Sequence, residues 1–223
     1  MAVINIDVVS DFTCTWCFIG KRILDQTIAL FLKTHPSKPT FNITYHPYFL
    51  SHFNSLDYTV TNSIPRAHLT EKKLGHLSKE RRDAMTKKME GLGRSVGIEF
   101  KWDGLIGPTA KAHGLVMMAG ERQRDVVEGL MHAFHEEERD INDEDTMREI
   151  ARAAGLTDGD VDEAFADKIQ DKVVREEQEW REVAVGKGVP VYIIQGQHRI
   201  DGAPDPGDLY EIFIRALEDT ESL

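Results

Sequence analysis

The sequence predicts an α/β fold in which a small sheet domain is split by a large all-helical insertion. Three observations carry that reading. The chain opens with a β-α-β pattern, its middle shows charged, apolar-periodic segments at helical spacing, and its end returns to short β-branched runs.

Ala2 to Val9 is a β-branched run of strand length. After Ser10-Asp11-Phe12-Thr13 come Cys14 and Cys17, and then Phe18, Ile19, Ile23, Leu24, Ile28, Phe31 and Leu32 recur at helical spacing. His35-Pro36 and Pro39 close that helix. Phe41, Ile43 and Tyr45 alternate with polar residues, so a second strand ends near Pro47. From about Ser63 to Gly186 the pattern is helical. One helix is expected over Glu71–Val96, another after Pro108, and a third over Gln123–Glu138. Asn142-Asp143 is a candidate N-cap for a fourth that ends before Gly155. Asp158–Phe165 and Ile169–Val185 complete the block, and no repeat of solenoid length is present. Val191–Ile194 and His198–Ile200 then read as strands around a turn at Gly196, followed by a helix over Pro206–Leu217. The order β-α-β, helical block, β-β-α outlines a thioredoxin-like fold with a large all-helical insertion. The expected division is a discontinuous domain of residues 1–62 and 187–223, with residues 63–186 as the insertion.

With 223 residues, 41% of them hydrophobic, the chain can bury a real core. The net charge of −11 argues against nucleic acid and anionic membranes as partners. The first nine residues lack a basic n-region, and no stretch approaches the roughly 20 apolar residues of a membrane span, so a cytoplasmic location is expected. The Asn42-Ile43-Thr44 sequon means little without a secretory signal.

The chain has two cysteines, and both lie in Cys14-Thr15-Trp16-Cys17. Two scattered cysteines would fall at that spacing roughly one time in a hundred. Their number excludes a disulfide framework and a four-cysteine zinc site, which leaves a redox or nucleophilic pair or coincidence. A helix N-terminus favours the thiolate, because unpaired amides and the helix dipole stabilise negative charge. If the helix begins just after Cys14, that sulfur points outward and Cys17 lies in the first turn, more buried and less acidic. Cys14 then attacks and Cys17 resolves the mixed disulfide. Trp16 would flank the pair with an apolar surface for a peptide or aromatic ligand; plain packing is its alternative role.

Gly188-Val189-Pro190 precedes the strand Val191-Tyr192-Ile193-Ile194. A proline there belongs at a strand start or bend. In thioredoxin folds this position is a cis-proline packed against the C-x-x-C motif, and the backbone of its predecessor binds extended substrate. An ordinary trans proline is the alternative for the tripeptide alone; taken with the C-x-x-C and the β-α-β start, the cis form is expected.

Together these segments resemble the DsbA-like oxidoreductases of the FrnE type, over nearly the whole chain. The likeness runs through Ser10 to Gly20, His46-Pro47-Tyr48-Phe49, Phe134 to Ile141, Gly188-Val189-Pro190 and Gly202-Ala203. The clan includes kappa-class glutathione transferases and 2-hydroxychromene-2-carboxylate isomerases, which usually carry serine at the first cysteine's position. The resemblance implies a ligand-facing role for Val189, Pro190 and His113. Thr15 stands where relatives commonly have proline. Gly107 to His113 replaces a stretch that usually reads Asn-Thr-x-x-Ala-His, keeping His113 but not the asparagine.

Other candidates weigh less. His132 and His135, with Glu136, share a helix as a possible metal corner, but the sequence places no third ligand, and a solvated acidic face explains them better. Asp140 to Asp145 lacks the glycine and terminal glutamate of a calcium loop. Gly91 and Gly93 follow no strand, so a dinucleotide site is not supported. Asp11 either tunes the thiols or takes a proton, or it caps the strand-to-helix turn.

The expected function is a thiol-disulfide oxidoreductase with no tightly bound cofactor and no metal, taking a protein or small-molecule thiol or disulfide, with glutathione as a co-substrate. The alternative is a glutathione-dependent isomerase or transferase acting on an apolar small molecule, with the insertion as a lid. A binding module with a vestigial site is a third reading. A monomer or a homodimer is expected from the relatives.

Overall fold

The computed structural model describes residues 2–50 and 63–221. The element order is β1 (Val3–Ser10), α1 (Thr15–Thr34), β2 (Thr40–Pro47), β3 (Ile64–Pro65), α2 (Arg66–Leu74), α3 (Lys79–Ser95), β4 (Leu105–Ile106), α4 (Ala110–Met118), α5 (Gln123–His135), α6 (Glu144–Ala153), α7 (Asp158–Phe165), α8 (Asp167–Val183), β5 (Val191–Ile194), β6 (His198–Asp201) and α9 (Pro206–Glu221). A 3₁₀ turn over Gly120–Arg122 joins α4 to α5.

The central sheet has the order β2-β1-β5-β6, with β1 and β2 parallel and the other pairings antiparallel. Alternation along β1 sends Ile4, Ile6 and Val8 to the main core with Leu24, Ile28, Phe31, Leu209 and Phe213. Val9 points the other way, into a smaller cluster with Val191 and Ala184 that Trp180 and Val183 of α8 cover. The sheet is therefore sandwiched between α1 with α9 on one side and the end of α8 on the other. This is a thioredoxin-like α/β fold whose helical insertion, α2 to α8, follows β2 and returns at β5. The main core is continuous from the sheet into α4, α5, α6 and α7.

Several expectations change in detail. The helix expected over Glu71–Val96 is two helices, because Ser78 breaks the run and caps α3 by accepting a bond from the Arg81 amide. The helix expected to reach Glu138 stops at His135, and Glu138 takes a left-handed backbone at φ 60°. The two-residue strands β3 and β4 pair with each other and carry too little pattern to be read in sequence. The domain boundary expected after residue 62 falls at the edge of a segment outside the described residues. Among the described residues no helix is long and apolar enough to cross a membrane.

Candidate active site

The two cysteines sit where β1 hands over to α1. Cys14 is the N-cap residue of α1, and its carbonyl accepts the amides of Cys17 (3.0 Å) and Phe18 (3.2 Å). The turn before it is set by Asp11, whose Oδ1 accepts the Thr13 amide at 2.7 Å and the Thr13 hydroxyl at 2.6 Å. Oδ2 of the same carboxylate accepts the Leu50 amide at 3.0 Å and the Thr109 hydroxyl at 3.1 Å. Asp11 thus caps the turn and also fastens it to the segment after β2 and to the N-cap of α4. Its burial raises its pKa above the ordinary carboxylate value, against the pull of those four donors.

Both cysteines are free thiols. Cys17 is 1% exposed and Cys14 9%. The Cys14 sulfur does not point outward as expected. It donates to the Val189 carbonyl at 3.8 Å and makes no hydrogen bond to the helix amides. The Val189–Pro190 peptide just before β5 is cis, and the Val189 carbonyl lies against the sulfur. Burial pushes the Cys17 thiol well above its ordinary pKa, and the adjacent Cys14 sulfur pushes it further.

Trp16 is 44% exposed beside Cys14, an apolar surface open to solvent. Gly20, one turn beyond Cys17, lets α1 lie close to β5: a Cβ there would collide with Tyr192 Oη and meet Pro190 Cγ at 3.3 Å. Tyr192 is fully buried, its hydroxyl has no partner, and burial pushes its pKa well above the usual value. Sequence reasoning passed over Tyr192; its signal was a polar-tipped aromatic in an otherwise aliphatic strand directly after Pro190.

The structure does not open His113 to solvent. It packs on Phe12 at 4.3 Å and Phe49 at 5.7 Å beneath the motif turn, and burial lowers its pKa to about 3. Cys14, Cys17, Trp16, Val189 and Pro190 converge, whereas His113 supports them from behind. His132 and His135 part company: His135 lies in the core, while His132 meets Glu136 and Glu137 at 3.8 and 3.6 Å. Asp143 caps α6 by accepting the Thr146 amide at 2.8 Å.

Partial loss of water lowers the pKa of Lys73, in the last turn of α2, and the neighbouring Cys14 sulfur opposes that fall. A cleft of about 740 Å³ opens further off in the insertion, lined by Pro108, Lys111, Asn142, Phe165, Gln170 and Val174 among others; neither cysteine lines it.

The sequence profile of the DSBA-like thioredoxin domain matches residues 5–213. Solved structures share the fold at low identity. A probable DsbA oxidoreductase from Streptomyces coelicolor superposes with a TM-score of 0.79 at 21% identity, covering 96% of this chain and 90% of that one. The cytosolic disulfide reductase DsbM from Pseudomonas aeruginosa, solved with GSH, gives 0.63 at 12% identity over 96% and 99% of the two chains. A 2-hydroxychromene-2-carboxylate isomerase gives 0.65 at 13% identity over 98% of each. At these identities the superpositions speak for the fold alone. No curated protein matches the sequence. The profile, spanning β1 to α9 with both cysteines inside it, places the chain in the DSBA-like thioredoxin domain family.

Proposed function

We propose that the protein exchanges disulfides with a thiol or disulfide substrate, with Cys14 as the attacking sulfur and Cys17 as the resolving one. The observation that carries this reading is the difference between the two thiols. Cys17 is sealed from water and its proton is held by burial and by Cys14, whereas Cys14 keeps 9% of its surface exposed next to the open face of Trp16. The Cys14 thiolate displaces one sulfur of a substrate disulfide, which leaves as a thiolate and takes a proton. Cys17 then gives up its proton and attacks Cys14, releasing the second substrate thiol and leaving a Cys14–Cys17 disulfide. The substrate has gained two electrons, and two molecules of a small thiol such as glutathione would restore the dithiol. Trp16 and the Val189 backbone would hold the substrate against the sulfur, and a cytosolic setting would favour reduction or isomerisation.

Cys14→Ser is expected to lose dithiol-dependent disulfide reduction at least about a hundredfold. Cys17→Ser should instead accumulate a mixed disulfide on Cys14, seen as an adduct by intact-mass spectrometry. Full activity in Cys14→Ser would overturn the reading. Turnover that survives Cys17→Ser but not Cys14→Ser would move the protein to glutathione-dependent isomerisation or transfer.

A further inference from the structure

The protein is acidic overall, but its charge is unevenly placed. Between Ile64 and Val96, nine lysines and arginines face four aspartates and glutamates, a local excess of five positive charges in a chain with a net charge of −11. That stretch is the α2–α3 hairpin. Two of its four acids are occupied within it: Glu71 pairs with Arg82 at 2.9 Å, and Glu90 meets Arg94 at 4.0 Å and accepts from Trp102 at 3.2 Å. Lys72, Lys79, Lys87 and Lys88 are exposed and form no ion pair among the described residues. Arg81, Ala84, Met85 and Lys88 share one exposed face of α3 at i, i+3, i+4 and i+7, and Met85 is 45% exposed. The hairpin therefore presents cations around an apolar contact.

The hairpin is fastened to the rest of the insertion and to the helix that carries the cysteines. Arg66, at the start of α2, donates to the carbonyls of Lys101, Asp103 and Phe134 and stacks over the Phe134 ring at 4.3 Å. The far end of α3 is tied to the cysteine-bearing helix: Gln26 of α1 donates to the Val96 carbonyl at 3.2 Å. Gly93 lies against Phe100, where a Cβ would approach the ring to 2.6 Å. Phe100 in turn meets Phe18, the residue after Cys17, at 6.3 Å between ring centroids.

We propose that the exposed face of the α2–α3 hairpin is a docking surface for an acidic, extended polypeptide. The proposal rests on the oxidoreductase reading and names its substrate class. Charge complementarity selects the partner: in an acidic molecule this hairpin carries a local excess of the opposite sign, and opposite fields raise the rate of encounter. A polypeptide suits the site better than a nucleic acid, because the excess acid on the remaining surface repels a long polyanion and because Cys14 chemistry needs a sulfur.

The test uses two fluorescent peptides with one internal disulfide each, identical except that acidic residues flank it in one and basic residues in the other. Binding is read by anisotropy on the full chain carrying Cys14→Ser, so that no exchange occurs. The acidic peptide should bind about tenfold tighter at low salt, with the advantage lost at about 1 M salt. Adding Lys79→Glu, Lys87→Glu and Lys88→Glu should weaken it about tenfold, and the corresponding Lys→Gln set should fall between. On the wild-type Cys14 background, turnover of bis(2-hydroxyethyl) disulfide, small and neutral, should not change with either set, which also reports an intact fold. Equal binding of the two peptides would overturn the surface. So would displacement of the acidic peptide by a single-stranded oligonucleotide, or salt-sensitive self-association of the chain without peptide binding. Binding as expected with no disulfide turned over would leave the surface standing and remove the oxidoreductase reading.

Discussion

At the scale of single residues, His135 lies wholly out of water against Phe18, Phe100 and Phe134, and neither ring nitrogen has a hydrogen-bond partner beyond the nearby Phe12 backbone. Burial, aided by the Arg66 charge, lowers its pKa from 6.5 to about 3. The unfolded chain therefore takes up this proton near pH 6.5 while the fold refuses it until about 3. The stability it contributes is complete above the unfolded value and is lost as pH falls toward the folded one. His135→Phe keeps the ring and removes the proton site. Its stability should depend less steeply on pH across that window, by about 1.4 kcal/mol per pH unit, measured by urea denaturation at several pH values. An unchanged slope would mean that His135 does not drive acid unfolding. Asp11 behaves in the opposite sense: its raised pKa favours the fold below 3.8, and that contribution is lost as pH rises through the folded value. Its four hydrogen bonds offset this, and Asp11→Ala, which leaves buried donors unpaired, is expected to cost about 3 kcal/mol in the same assay at neutral pH.

At the scale of elements, the approach of α1 to β5 decides how Cys14 meets the Val189 carbonyl. Gly20 permits that approach, and the unpartnered Tyr192 hydroxyl fills the space beside it. Gly20→Ala should push the two elements apart, lowering stability by about 2 kcal/mol and slowing disulfide turnover. Tyr192→Phe removes an unsatisfied buried hydroxyl, so it should be neutral or stabilising by up to about 1 kcal/mol. The double variant should recover part of the loss, and a double-mutant cycle from thermal unfolding reads the coupling directly. Strict additivity of the two changes would show that the two side chains do not meet.

At the scale of the whole molecule, the insertion must be held in place for Thr109 to reach Asp11 in the turn before the cysteines. One fastening is His46 at the end of β2. Its Nε2 meets Asp7 Oδ1 of β1 at 2.9 Å, its Nδ1 meets Glu176 Oε1 of α8 at 2.7 Å, and its ring stacks on Trp180 at 3.7 Å. Near it, Glu177 is buried, accepts the Phe49 amide at 3.2 Å and pairs with Arg181. His46→Ala should destabilise the protein by about 2 kcal/mol and speed hydrogen exchange in α8 ahead of α9. Uniform protection across both helices would show that His46 does not clamp the insertion.

Much of this was present in the order of the residues. The strand before Cys14, the helix after it, the helical block and the Val189-Pro190 strand start depend on local periodicity and backbone preference, which a sequence carries openly. The two-cysteine count isolated the motif for the same reason. Contacts between distant segments were not legible. Nothing around Thr109 points to Asp11, because that pairing exists only once the insertion folds back over the sheet. His113 shows the limit most clearly: the family resemblance implies a ligand-facing residue, but the packing of Phe12 and Phe49 around it buries it. Local pattern thus determined the elements and the motif. Tertiary packing decided which side chains meet the sulfurs, because burial and distance are properties of the assembled chain.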